Sequence, residues 1–79
     1  MDIQEVIAVT EEQEVREQMN DLRALGLAEW PTLNQVAKVT GRDAQSLNGL
    51  PIWNEEIKGG RTWRRTTLRR LARYMVTGR

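Results

Sequence analysis

The side chains that could do chemistry in this sequence are almost all charged. The 79 residues include no histidine and no cysteine, which excludes thiolate chemistry, disulfides, the usual zinc ligands and the commonest general base. Glu55 and Glu56 form an adjacent carboxylate pair, but neighbouring residues of a strand point to opposite faces. No base or metal ligand accompanies them. We therefore expect no catalysis, no cofactor and no small-molecule substrate.

The charges are divided unevenly along the chain. Residues 1–30 hold eight acids and two bases, whereas residues 31–79 hold ten bases and three acids, and no acid follows Glu56. The two segments carry −6 and +7, which gives the formal net charge of +1. Clustered Lys and Arg side chains bind phosphates by releasing condensed counterions, so a nucleic acid is the expected partner. The alternative is that the basic half pairs with the acidic half, within one molecule or across a dimer.

The length of the chain indicates one domain, residues 1–79, close to the lower limit for an independent hydrophobic core. No segment approaches the roughly 20 apolar residues that span a bilayer. The first residues, MDIQEV, lack the basic flank and apolar run of a signal peptide. We expect a cytoplasmic protein that does not act at a membrane.

Residues 1–30 are predicted to form an acidic N-terminal arm and helix. Residues 3–9 partly alternate between apolar and polar types, which predicts a short strand or an extended arm. Thr10 and Gln13 have the spacing of a capping box, and Gly26 is a stop signal. The helix between them carries an apolar stripe that must be buried, on its own domain as we expect or in a dimer: Val15, Met19, Leu22 and Leu25.

The segment 32–50 carries the signals of two short helices joined by a tight turn. Thr32 and Gln35 again have capping-box spacing, and Gly41 can take the left-handed conformation that ends a helix. Asp43 can then cap a third helix, which must stop near residue 50 because a proline follows. Two such helices form a helix-turn-helix unit, although any short helical hairpin with a glycine stop has the same pattern.

The segment 52–64 is predicted to be a β-hairpin, because Gly59 and Gly60 supply the positive φ angles of a tight turn. Thr66 or Thr67 then caps a last helix, 66–77, with apolar residues at helical spacing: Leu68, Leu71, Ala72 and Met75.

The three tryptophans are predicted to serve mainly in packing. Trp53 and Trp63 fall on opposite arms of the hairpin, where a cross-strand aromatic pair would stabilise it. The alternative for these two is stacking on an exposed base, which would suit single-stranded DNA or RNA. Trp30 is expected to anchor the first helix on the following motif.

From Thr32 to Tyr74 the chain resembles the winged helix-turn-helix DNA-binding domains of phage excisionases and MerR-type regulators. The matching segments are LNQVAKVTG, AQSLNGL, WNEEIKGGRTWR and TTLRRLARYM. The resemblance implies a mostly α fold with a small β-hairpin, to which an N-terminal helix is added here. It implies a phage or plasmid protein that binds double-stranded DNA with a sequence preference, as an excisionase-like accessory factor or a small transcriptional repressor. We expect a homodimer or a cooperative multimer on the DNA. The alternative is a small inhibitor or adaptor that binds another protein through the acidic N-terminal helix.

The resemblance also implies which residues contact DNA. The recognition helix offers Gln45, Ser46 and Asn48, with Arg42 just before it, whereas the related domains usually place arginines there. Gln and Asn can still pair bidentately with adenine in the major groove. Phosphate or minor-groove contacts are expected from the hairpin and the last helix, and a merely solvated basic surface is the alternative for them: Lys58, Arg61, Arg64, Arg65, Arg69 and Arg70.

Overall fold

The computed structural model describes residues 3–79, which form four helices and one two-stranded antiparallel hairpin. The mostly α class with a small hairpin, predicted from the sequence, is confirmed. The elements are α1 (Ile3–Ala24), α2 (Leu33–Thr40), α3 (Ala44–Asn48), β1 (Asn54–Lys58), β2 (Arg61–Arg65) and α4 (Leu68–Thr77). The molecule is elongated, 52 × 22 × 20 Å. No helix within residues 3–79 is both long and apolar enough to cross a bilayer.

Helix α1 is longer than the sequence indicated. The predicted strand or arm over residues 3–9 is wrong, because these residues already belong to the helix. Thr10 is not a cap but lies inside the helix, where its hydroxyl donates to the carbonyl of Val6 at 2.9 Å. Once a helix is nucleated, each added residue gains a hydrogen bond, so the helix extends through residues of modest propensity.

The C-terminal end of α1 is set by Gly26, as predicted. Gly26 has φ of +100°, and the N–H of Leu27 donates to the carbonyl of Leu22 at 3.1 Å, the longer bond of a Schellman turn. This turn brings Leu27 into the core. Leu25 was expected there, but it is 59% exposed because it lies beyond the last helical residue and has left the stripe.

The hydrophobic core lies where α1 packs on α4, with α2 and α3 closing it. The expected packing of α1 on its own domain is therefore confirmed. Among the helices and strands of residues 3–79, α1 packs on α4 alone. The buried apolar side chains of the core are Val15, Leu22, Leu27, Val36, Leu47, Ile52, Leu68, Leu71 and Ala72.

Short-range capping defines the two helices after α1. Thr32 and Gln35 form the expected capping box. The N–H of Gln35 donates to Oγ1 of Thr32 at 3.2 Å, and the N–H of Thr32 donates to Oε1 of Gln35 at 2.9 Å. Gly41 ends α2 with φ of +71°. Asp43 caps α3 by accepting from the N–H of Gln45 at 3.4 Å. Helix α3 ends at residue 48, two residues before the predicted limit.

The hairpin turns at Gly59 and Gly60, whose φ angles of +61° and +77° are those of a type I′ turn. The expected Trp53–Trp63 pair is wrong, since Trp63 lies opposite Glu56 and Trp53 precedes β1. Trp53 instead packs against the core, and its indole N–H donates to the carbonyl of Leu47 at 2.6 Å.

The segment before α2 is tied to the end of the hairpin. The N–H of Thr66 donates to the carbonyl of Pro31 at 3.1 Å, and Thr32 forms a β-bridge with Arg65. Thr67, one of the two predicted caps, begins α4 by accepting from the N–H of Arg70 at 2.9 Å. Trp30 does not anchor α1, because its side chain is 63% exposed.

Candidate nucleic-acid interface

Helix α3 presents polar side chains to solvent because Leu47 anchors its opposite face in the core. Gln45 and Ser46 are exposed, as is Arg42 in the turn that precedes the helix. Amide and hydroxyl groups on a short exposed helix can donate to and accept from the edges of bases. The structure therefore brings together three of the four residues that were predicted near the recognition helix, with their side chains accessible.

Asn48, the fourth of these residues, is also exposed but already engaged. The guanidinium of Arg64 donates to its Oδ1 at 2.5 Å and to its main-chain carbonyl at 3.2 Å. The same guanidinium lies 3.4 Å from a carboxylate oxygen of Glu55. Arg64 is therefore a brace between the hairpin and α3, and its side chain is not simply available to a phosphate.

The register of the hairpin gives it two different faces. One face carries the pairs Glu55–Arg64 and Ile57–Thr62, and the other face carries three pairs: Asn54–Arg65, Glu56–Trp63 and Lys58–Arg61. Because Arg64 bonds to α3, the face with Ile57 is the one on the α3 side.

Charge is balanced at the base of the hairpin and unbalanced at its tip. Arg65 lies 3.1 Å from a carboxylate oxygen of Glu56 and also donates to the carbonyl of Trp30 at 3.0 Å. Lys58 and Arg61 flank the glycine turn, and neither forms an ion pair with a carboxylate that the structure describes. The tip therefore carries two positive charges that are open to an anion.

The two arginines of α4 that were predicted to bind DNA form bonds within the protein. Arg69 donates to both carboxylate oxygens of Glu12 on α1, at 2.9 and 3.0 Å. Arg70 donates to the carbonyl of Arg79 at 2.6 Å and to that of Pro51 at 3.4 Å. The structure therefore joins Arg69 to the acidic helix and Arg70 to main-chain carbonyls, and neither lies with the tip of the hairpin.

An open groove of about 340 Å³ separates the hairpin from the start of α2. The groove is open to solvent and includes Arg64, which also bonds to Asn48 of α3. Its lining residues are Thr32, Leu33, Asn34, Glu55, Thr62, Trp63 and Arg64.

Sequence reasoning missed the bracing role of Arg64 and the exposure of Ile57. The contact between Arg64 and Glu55 could have been predicted from the sequence, because a two-residue glycine turn places Lys58 opposite Arg61 and therefore Glu55 opposite Arg64. The contact from Arg64 to α3 had no such signal, since it depends on how the hairpin docks.

An ion pair with shifted pKa values joins the end of α1 to the turn before α2, outside this surface. Arg23 donates to Glu29 at 2.6 and 3.3 Å. This hydrogen bond lowers the pKa of Glu29 below its usual value and raises the pKa of Arg23. The pair links the end of α1 to the segment before α2 and does not contribute to the candidate interface.

Within the described residues, no group of three or more acids is placed to hold a metal ion. Comparisons of the chain with protein-family models, with curated proteins and with solved structures find no match.

Proposed function

We propose that this chain is a non-catalytic, sequence-preferring double-stranded DNA-binding protein with a winged helix-turn-helix arrangement. In this proposal α3 is the recognition helix, in the major groove, and the hairpin is the wing. Suitable roles are those of an excisionase-like accessory factor or a small transcriptional repressor.

The observation that carries the proposal is the bond between Arg64 and Asn48. It braces the hairpin against α3, so that a helix with exposed Gln45 and Ser46 adjoins a ribbon whose tip is cationic. Base-edge contacts supply sequence preference, while cations on the phosphates supply most of the affinity and set the register.

The number of unpaired cations predicts how steeply the DNA affinity falls with salt concentration. Arg42, Lys58 and Arg61 are exposed and make no ion pair with the described carboxylates. If each of them neutralises one phosphate, log Kobs falls with log salt concentration with a slope of about −2.7, since each contact contributes roughly 0.9.

Fluorescence anisotropy with labelled random duplexes, at low and at physiological salt, tests the proposal. We expect binding that weakens steeply with salt, retention on heparin, and an enriched sequence after selection from the random pool. Binding that is absent at low salt would refute the proposal.

A second candidate function has its own observation. Glu14, Glu17 and Asp21 on α1 are exposed and form no ion pair within the described residues, and Val6 and Val9 expose apolar surface nearby. These features would suit an inhibitor or adaptor that docks its acidic helix on a basic protein. That function requires no retention on heparin, so the same column separates the two candidates.

A further inference from the structure

The tip of the hairpin exposes one large apolar side chain. Ile57 is 81% exposed, the highest value among the exposed large apolar residues that the structure describes. Isolated exposed apolar residues are common, and isoleucine suits a strand for its backbone preference alone. The surroundings of Ile57 are what distinguish it.

Those surroundings combine a slender turn with positive charge. Ile57 pairs with Thr62 one step from the Gly59–Gly60 turn, which carries no side chains to obstruct a narrow space. Lys58 and Arg61 form the last pair before the turn. The segment 57–62 contains no acid. An apolar group is therefore presented at the tip of a cationic ribbon.

Ile57 also lies on the face of the hairpin that is directed toward α3. It shares a face with Arg64, whose guanidinium bonds to Asn48 of α3. A duplex that contacts the exposed surface of α3 therefore meets the face of the hairpin that bears Ile57.

We propose that Ile57 is a wedge that enters the minor groove and partly unstacks one base-pair step, so that the duplex bends toward its major groove. This inference rests on the proposed DNA-binding function and adds a preference for duplexes that bend easily. Apolar side chains inserted between base pairs kink DNA in this direction, and flexible pyrimidine–purine steps such as TA unstack most readily. Lys58 and Arg61, one pair nearer the turn and on the other face of the ribbon, would neutralise phosphates close to the opened step.

The experiment uses a duplex of alternating d(AT) steps in which one adenine is replaced by 2-aminopurine, with a donor and an acceptor dye on its ends. Unstacking raises the 2-aminopurine emission, and bending raises the energy transfer. The proteins compared are the full-length chain, Ile57→Thr, Ile57→Val and, as a matched loss of an exposed apolar side chain far from the hairpin tip, Leu25→Thr.

We expect the unaltered protein and Leu25→Thr to raise both signals several-fold. Ile57→Thr should raise neither, although threonine keeps the β-branched shape that suits the strand. Ile57→Val should retain part of both signals. In competition with a stiff A-tract duplex, the unaltered protein should prefer alternating d(AT) by about tenfold, and Ile57→Thr should lose most of this preference.

Two failures are distinguishable. If no protein in the set binds any duplex at low salt, the DNA-binding function itself is wrong. If the unaltered protein binds with a steep salt dependence but leaves 2-aminopurine stacked, or if Ile57→Thr bends the duplex equally, then DNA binding stands and the wedge is overturned. The signal of the unaltered protein decides the question even if a variant does not fold.

Discussion

Two arginines of the same strand should respond in opposite ways to removal. Arg61 and Arg64 both lie on β2, but Arg64 is bonded to Asn48 and Glu55 whereas Arg61 forms no ion pair within the described residues. Arg64→Ala should therefore lower stability and disturb the relative position of the hairpin and α3. Arg61→Ala should leave the fold unchanged and weaken DNA binding alone.

The size of the stability loss follows from the geometry of Arg64. A hydrogen bond that involves a charged group contributes about 1.5–3 kcal/mol when it is well shielded. The side chain of Arg64 is 38% exposed, and solvent screening reduces the value to about 1 kcal/mol. In a domain of this size, 1 kcal/mol shifts Tm by roughly 4–8 °C.

Thermal unfolding followed by circular dichroism measures this difference, and anisotropy measures DNA binding in parallel. Asn48→Ala supplies the other corner of a double-mutant cycle. It removes the acceptor at 2.5 Å but keeps the main-chain carbonyl at 3.2 Å, so the coupling should be about 0.5–1 kcal/mol. Equal Tm losses in Arg61→Ala and Arg64→Ala would refute the bracing role.

The remaining predictions concern base reading, the acidic helix, the core and pH. Gln45→Ala should lose about 1–3 kcal/mol of preference for the best duplex in competition assays and keep its non-specific affinity; a uniform loss would indicate damage to the fold. Arg69→Ala should leave the salt slope of binding unchanged, since its guanidinium is held by a carboxylate of α1; a slope flatter by about 0.9 would place α4 at the DNA. Leu22→Ala, at a side chain 1% exposed, should destabilise the domain by about 2–5 kcal/mol in urea titrations, and a loss below 1 kcal/mol would contradict the assigned core. Because the pKa of Glu29 is lowered in the folded state, its pairing stabilises the protein above the ordinary value of 4.5 and is lost as the pH falls through the folded pKa. Glu29→Gln should therefore be less stable than the unaltered protein at neutral pH, and the two unfolding curves should converge in acid.

The parts of the fold that were predictable from the sequence depend on neighbouring residues. The capping box at Thr32, the left-handed stop at Gly41, the cap at Asp43 and the turn at Gly59 each involve hydrogen bonds or φ angles within a few residues. Residue type and spacing are enough to predict these local hydrogen bonds and φ angles. They were enough to indicate the order and nature of most elements after the first helix.

The errors lie where distant residues decide the outcome. The bond from Arg64 to Asn48 spans 16 positions, and the bond from Arg69 to Glu12 spans 57. No periodicity indicates which arginine will find a partner across such distances. The start of α1 was missed for a related reason: a helix held at one end by packing on α4 extends through residues whose own preference is weak.

The position of α1 has a consequence for the first encounter with a polyanion. Since α1 packs on α4 and not on the hairpin, its exposed acids and the cations of the hairpin tip belong to separate parts of a molecule 52 Å long. Such a separation gives the molecule a permanent electric dipole moment even though its net charge is only +1. If the proposed DNA binding holds, the field of the duplex would exert a torque on this moment and turn the hairpin tip toward the DNA and α1 away from it before any contact forms. The fraction of collisions that are productive would then depend on ionic strength more strongly than the net charge alone implies.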